Sequence, residues 1–200
     1  MTATPPDVRS SYADALPAGT TYATWDLTAD PELPDGYLAA HDTVVWWTGN
    51  AYPAPITRYE NGLTRLLDNG GRLLMSGQDI LDQAAGTTPF VLDYLHINWD
   101  GGEAQNDKPT ATVTGAATDP VAAGQGTVPI DHSVLGAAFE DEVTPTDGAS
   151  VAFRDDSGEP DGLTVAENGH KVVFLAFPFE AYGTASQKAD LIQRAYTFFG

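Results

Sequence analysis

Ser76 stands between the apolar run Leu73-Leu74-Met75 and the turn residues Gly77-Gln78-Asp79, where a strand gives way to a helix and a hydroxyl can serve as a nucleophile. The nucleophile elbow Gly-x-Ser-x-Gly is not met, because Leu74 and Gln78 occupy the glycine positions. The plainer reading is a tight turn whose small residues permit the bend and whose Gln78 and Asp79 cap the following helix. His41, His96, His132 and His170 are far apart in sequence and show neither His-x-x-x-His nor His-Glu-x-x-His spacing, which argues against zinc. Oxygen ligands are better supplied. Asp155, Ser157, Glu159 and Asp161 fall at alternate positions, which suits calcium, although Pro160 and the missing terminal glutamate depart from an EF-hand loop. Without a cation the same stretch reads as an acidic hairpin turn.

Short buried strands must position these groups. Thr43-Val44-Val45-Trp46-Trp47, Arg72 to Ser76 and Lys171 to Phe177 are runs of the kind found in strands covered on both faces, and consecutive Trp46 and Trp47 point to opposite faces. Ile56, Tyr59, Leu63, Leu66 and Leu67 keep helical spacing up to the stop signal Asn69-Gly70-Gly71, and Ile80 to Ala85 reads as a further helix. Strand, helix, strand, turn, helix predicts a βαβ unit and a mostly parallel sheet. Thr4-Pro5-Pro6 reads as the start of an opening helix with Val8, Tyr12, Ala15 and Leu16 on one face, followed by a strand over Thr20 to Leu27 and a helical turn at Tyr37 to Ala40. Ala185, Ala189, Ile192, Tyr196 and Phe199 stripe a final helix. Between Gly86 and Gly169 one short helix, Phe90 to Leu95, precedes Thr and Val segments broken by Gly, Pro and Asp, which predicts a β-rich insertion over about 98–168 within one 1–200 domain. Open α/β sheets bind ligands at the carboxyl ends of their strands, where Asn50, Gln78, Asp79 and Glu180 would line a site. Tyr52-Pro53-Ala54-Pro55, with Trp25 and Trp99, offers an alternative aromatic platform for sugar or peptide.

The chain has 200 residues, 28 acidic against 9 basic, and a formal net charge of −19. Only three lysines are present, too few for the basic clusters that bind phosphates, so nucleic acid is not an expected partner. Aspartate outnumbers glutamate 20 to 8, spread along the chain, which fits either a secreted bacterial protein or one from a salt-rich habitat, where the repulsion is screened. The absence of cysteine rules out disulfides, thiolate metal sites and a cysteine nucleophile. No apolar run approaches the roughly 18 residues of a membrane span, and the N-terminus lacks an export signal. The sequence reads as a domain cut from a longer precursor whose signal peptide lies outside it.

Three blocks, Asp42 to Gly49, Leu66 to Ile80 and Val173 to Glu180, together resemble class I glutamine-amidotransferase-like domains. The resemblance is strongest to the ThuA-like modules of large secreted bacterial proteins, often found beside subtilisin-type or immune-inhibitor-type peptidase domains. It implies a flavodoxin-like three-layer α/β sandwich. It also implies a cysteine on the turn here occupied by Ser76-Gly77-Gln78, and a histidine and an acid near the last strand. This chain reads Phe177-Pro178-Phe179-Glu180 where the family has Phe-His-Pro-Glu, so the acid survives as Glu180 and the histidine does not. Loss of nucleophile and base together removes the amidase mechanism. The family's first strand is missing as well, which predicts an unpaired edge beside Thr43 to Trp47. These departures leave a non-catalytic accessory or ligand-binding domain, extracellular or at the cell surface, partnered by other domains of the same polypeptide such as a peptidase. Two alternatives stay open: a hydrolase of amide or ester bonds using Ser76 or a carboxylate such as Asp79 or Glu180, and a structural spacer.

Overall fold

Residues 60–68 show how local sequence sets this architecture. Glu60 complements the helix dipole in the first turn of α2 (Glu60–Asp68), and Leu63, Leu66 and Leu67 fall on one buried face. The helix ends where Gly70 N–H donates to Leu67 O at 2.8 Å and Gly71 N–H to Leu66 O at 2.9 Å, so the last carbonyls are satisfied and the chain turns into β2 (Arg72–Ser76). A computed structural model describes residues 7–52, 56–82, 87–102, 104–136 and 138–200. Its elements are α1 (Arg9–Ala13), β1 (Thr43–Trp47), α2, β2, α3 (Pro89–Asp93), β3 (Ile97–Asn98), β4 (Thr112–Gly115), β5 (Thr127–Pro129), β6 (Thr144–Pro145), β7 (Ala149–Arg154), β8 (Pro160–Glu167), β9 (His170–Leu175) and α4 (Ala185–Phe199).

Seven strands form one sheet in the order β1-β2-β9-β8-β7-β4-β5, and β3 pairs with β6 separately. β1, β2 and β9 run parallel, with Met75 beside Phe174 and Ser76 beside Leu175. From β9 outward the pairs are antiparallel, so the β-rich insertion continues the same sheet. Side chains alternate across it as strand geometry requires. Leu74, Val173 and Leu175 pack with α1 and α4 on one face; Leu73, Met75, Val172 and Phe174 pack with α2 and α3 on the other. The result is a three-layer α/β sandwich of flavodoxin-like kind. Trp47 stacks on Tyr12 at 4.7 Å and Trp46 meets Tyr59 at 5.2 Å from the opposite face, as consecutive strand residues should. Thr184 and Gln187 form a capping box at the start of α4.

Several expectations are corrected. β1 is a sheet edge, so of its five residues only Trp46 is buried and the rest are half-buried, unlike a strand covered on all sides. No strand forms over Thr20 to Leu27, because the sheet offers that segment no partner and Tyr22 stays 58% exposed. The chain from Ile80 to Asp82 makes turns, and the remainder of the expected helix lies outside the described residues, as does the Thr4-Pro5-Pro6 start ahead of α1. Pro53 to Pro55 of the aromatic platform are also outside them. Trp99, 2% exposed, is a core residue that no platform can use.

Candidate functional site

The carboxyl ends of β1, β2 and β9 lie side by side because these three strands are parallel neighbours. Ser76 ends β2 fully buried. Its hydroxyl donates to Phe177 O at 3.0 Å and accepts from Phe179 N–H at 2.8 Å, tying the end of β2 to the chain after β9. Its one proton and one of its two lone pairs are thus engaged by backbone groups. Gly77 follows at φ +155°, and a Cβ there would sit 2.0 Å from Thr48 Oγ1, so the β1 and β2 turns can approach this closely only with glycine.

Glu180 sits in the one-turn helix Phe179–Ala181 beyond β9 and is 1% exposed. Tyr12 Oη donates to its Oε2 at 2.6 Å, while Oε1 has no hydrogen-bond partner. Burial raises the Glu180 pKa, opposed by the Tyr12 hydrogen bond and the Lys188 charge. The Tyr12 phenol also neighbours Ser76, and burial together with Glu180 pushes it well above the ordinary tyrosine range. Tyr12 therefore links the two residues that the sequence singles out. Gly49 lies against this acid, with a Cβ position 3.6 Å from Glu180 Oε1. Next to it, Asn50 Nδ2 donates to Leu135 O at 2.8 Å, leaving the buried Oδ1 without a partner.

Gln78 does not cap a helix. Its Oε1 accepts from Phe139 N–H at 3.1 Å, bringing the insertion across the β2 turn, and its buried Nε2 has no partner. Asp79, at φ +58°, begins a group of carboxylates on this side. Burial first, then Asp107, Asp82 and Glu140, raise its pKa to about 7. Asp141, 2% exposed with no hydrogen-bond partner for either oxygen, is raised to about 8 by burial and by Asp79. Asn50, Gln78 and Glu180 thus each carry a buried polar atom without a partner, a feature that native proteins keep rare. Sequence reasoning misses Tyr12, Gly49, Glu140 and Asp141, since they come from the opening helix, a β1 turn and the insertion. The pair Glu140-Asp141 beside apolar Phe139 is the only trace of them.

The proposed calcium ligands do not assemble. Asp155 Oδ1 accepts from Ser157 N–H at 3.0 Å and from Glu159 N–H at 2.7 Å, closing the β7–β8 hairpin on itself. Asp161, 1% exposed, is buried on β8, and among the described residues no three His, Asp or Glu side chains are placed to hold a metal. The histidines serve elsewhere: His96 Nε2 pairs with Glu167 at 2.9 Å and His132 Nε2 with Glu140 at 2.9 Å. Two clefts of about 270 Å³ each include none of Asn50, Ser76, Gln78, Asp79 or Glu180. One lies by Asp68, Tyr94 and His170, at the amino end of β9; the other lies between α2 and the 31–38 loop.

No family model matches the chain, and no curated protein sequence does. Solved structures do. The cytoplasmic protein STM3548 from Salmonella typhimurium superposes with a TM-score of 0.57 at 15% identity, over 80% of this chain and 72% of its own. A putative GMP synthase subunit protein from Thermoplasma acidophilum gives 0.51 at 11% identity, over 83% of this chain and 80% of its own. The cytoplasmic protein STM1381 from Salmonella typhimurium LT2 gives 0.50 at 13% identity, over 80% and 70%. No helix among the described residues is long and apolar enough to cross a membrane. At such identities the likeness concerns the fold alone, which is consistent with a glutamine-amidotransferase-like α/β sandwich.

Proposed function

We propose that the chain is a non-catalytic accessory or ligand-binding domain of a larger secreted protein, its site formed at the carboxyl ends of β1, β2 and β9. The observation that carries this reading is the state of Ser76. A nucleophilic hydroxyl must give its proton to a base, and this one gives it to the carbonyl Phe177 O while accepting from Phe179 N–H, which ties it to the backbone. No histidine takes part in its hydrogen bonds, and no cysteine exists in the chain. A binding role is supported by the unpartnered polar atoms of Asn50, Gln78 and Glu180, two acceptors and one donor, which suit a small polar ligand. Association with a peptidase domain and a place outside the cell or at its surface rest on the resemblance of the three sequence blocks. Incubation with glutamine should release no ammonia above a buffer blank. Release that scales with protein concentration and survives repurification would overturn the non-catalytic assignment.

A further inference from the structure

The cleft at the amino end of β9 lies at the other end of the parallel strands from the carboxyl-end site. Its volume of about 270 Å³ gives room for a small group rather than a large cofactor. Three carboxylates border it, each closing an element: Asp68 ends α2, Asp93 ends α3 and Glu167 ends β8. An acid at the carboxyl end of a helix faces the negative end of the peptide dipoles, where a cation is favoured. Among the described residues no lysine or arginine pairs with any of the three; the partner of Glu167 is His96, whose Nε2 lies 2.9 Å from its Oε1. Arg72 and Lys171 face the other side of the sheet, where they donate to Phe199 O at 2.8 Å and to Phe198 O. His170 forms the floor of the cleft. It is 4% exposed, its ring lies 5.6 Å from that of Tyr94, and its buried Nε2 has no hydrogen-bond partner. Tyr94 is itself fixed, since its Oη donates to Asp68 Oδ1 at 2.6 Å. Burial lowers the His170 pKa, helped by His96 and opposed by Glu167 and Asp68, so the ring is neutral at pH 7. A neutral imidazole with its proton on Nδ1 offers Nε2 as an acceptor.

We propose that this cleft binds an organic cation with N–H donors, an alkylammonium or alkylguanidinium group, which sets its charge among Asp68, Asp93 and Glu167 and donates a hydrogen bond to His170 Nε2. Such a ligand supplies the counter-charge that the chain does not and satisfies a buried polar atom that native proteins seldom leave alone. A metal ion matches less well. Among the described residues no three His, Asp or Glu side chains are placed to hold one, whereas the Tyr94 ring and the side chain of Leu67 give the cleft an apolar wall against which an alkyl stem can pack. An aromatic ring beside a cation adds a further attraction. The β8–β9 hairpin holds the arrangement in register: Glu167 stands opposite His170, and Asn168 at φ +47° and Gly169 at φ +89° make the two-residue turn between them. The same chemistry is carried by a free small amine or guanidine and by a lysine or arginine side chain of a peptide. Because the cleft and the carboxyl-end site share no residue, this inference does not rest on the binding role proposed for that site.

The test is amide chemical-shift mapping of the whole chain at neutral pH and constant ionic strength, titrated with methylguanidinium, with acetyl-arginine methylamide and with its neutral isostere acetyl-citrulline methylamide. Saturable shifts at Tyr94, Asn168 and His170 are expected with a cation and not with the citrulline compound. Tighter binding of methylguanidinium would mark a free small cation as the ligand; tighter binding of the capped arginine would mark a peptide side chain. Asp68→Asn and Asp93→Asn should each weaken binding about threefold, the scale of a partly exposed ion pair. His170→Phe, which keeps a ring and deletes the acceptor, should weaken it as well. Asp68 and Asp93 are exposed, so their variants carry the test even where the buried His170→Phe does not fold. The control Asp14→Asn follows α1, on the other face of the sheet, and should bind as the wild type does. No saturable shift at these residues with either cation in the millimolar range would overturn the proposal, as would equal binding of the citrulline compound. Equal weakening by Asp14→Asn would also overturn it, since the attraction would then belong to the net charge of −19 and not to the cleft.

Discussion

Gly77→Ala is expected to destabilise the fold by about 3 kcal/mol, the upper part of the range for overpacking a filled interior. The added methyl would meet Thr48 Oγ1 at 2.0 Å, with Thr48 Cβ at 3.2 Å and Thr48 N at 3.3 Å, and the positive φ adds backbone strain. Thr48 follows the last residue of β1 and its N–H donates to Ser76 O at 3.2 Å, so it cannot move aside without opening the junction between the two strand ends. Urea unfolding of Gly77→Ala, and of Gly77→Ala with Thr48→Ala, provides the check. The double variant removes the nearest clashing atom and should recover about half of the loss. An unchanged midpoint in the single variant would mean that the two turns are not in contact.

Ser76→Ala should cost about 2–4 kcal/mol. The hydroxyl is the donor for Phe177 O and the acceptor for Phe179 N–H, and alanine leaves both groups buried without partners, each at a penalty of about 1–3 kcal/mol. The sign is informative because the two roles of Ser76 predict opposite outcomes. Residues kept for catalysis often hold strained or unsatisfied geometry, and removing them tends to leave stability unchanged or improve it. A tie between strand ends does the reverse. Chemical denaturation of the variant therefore separates structure from catalysis without knowledge of any substrate; a midpoint equal to or above the wild type would contradict the structural role.

The parallel strands are legible because a strand in an α/β sandwich writes its environment as an apolar run, and β2 and β9 do so as inner strands while Thr43–Trp47 carries the same run at the sheet edge, where only Trp46 is buried. The alternation of Trp46 and Trp47 between faces follows from period two alone. Thr20 to Leu27 has the composition of a strand but no neighbour to pair with, and partnership is a tertiary property that residue types do not carry. Of the site, Ser76, Gln78 and Glu180 are visible because they flank strand ends. Their partners are not: Tyr12 comes 168 residues before Glu180, and Phe139 comes 61 after Gln78. Asp155 and Asp161 illustrate the opposite failure. Alternating oxygens suggest calcium, but a hairpin turn uses the Asp155 carboxylate for its own backbone while strand pairing carries Asp161 into the core.

The central claim is that Ser76 is a structural residue at a binding site and not a nucleophile. Exposure to a fluorophosphonate, which forms a covalent bond with activated serine hydroxyls, followed by intact-mass measurement, tests it most directly. A hydroxyl that is fully buried and hydrogen-bonded on both sides should show no added mass after prolonged incubation in native buffer. A single adduct that maps to Ser76 and disappears in Ser76→Ala would contradict the claim and make the chain a serine hydrolase.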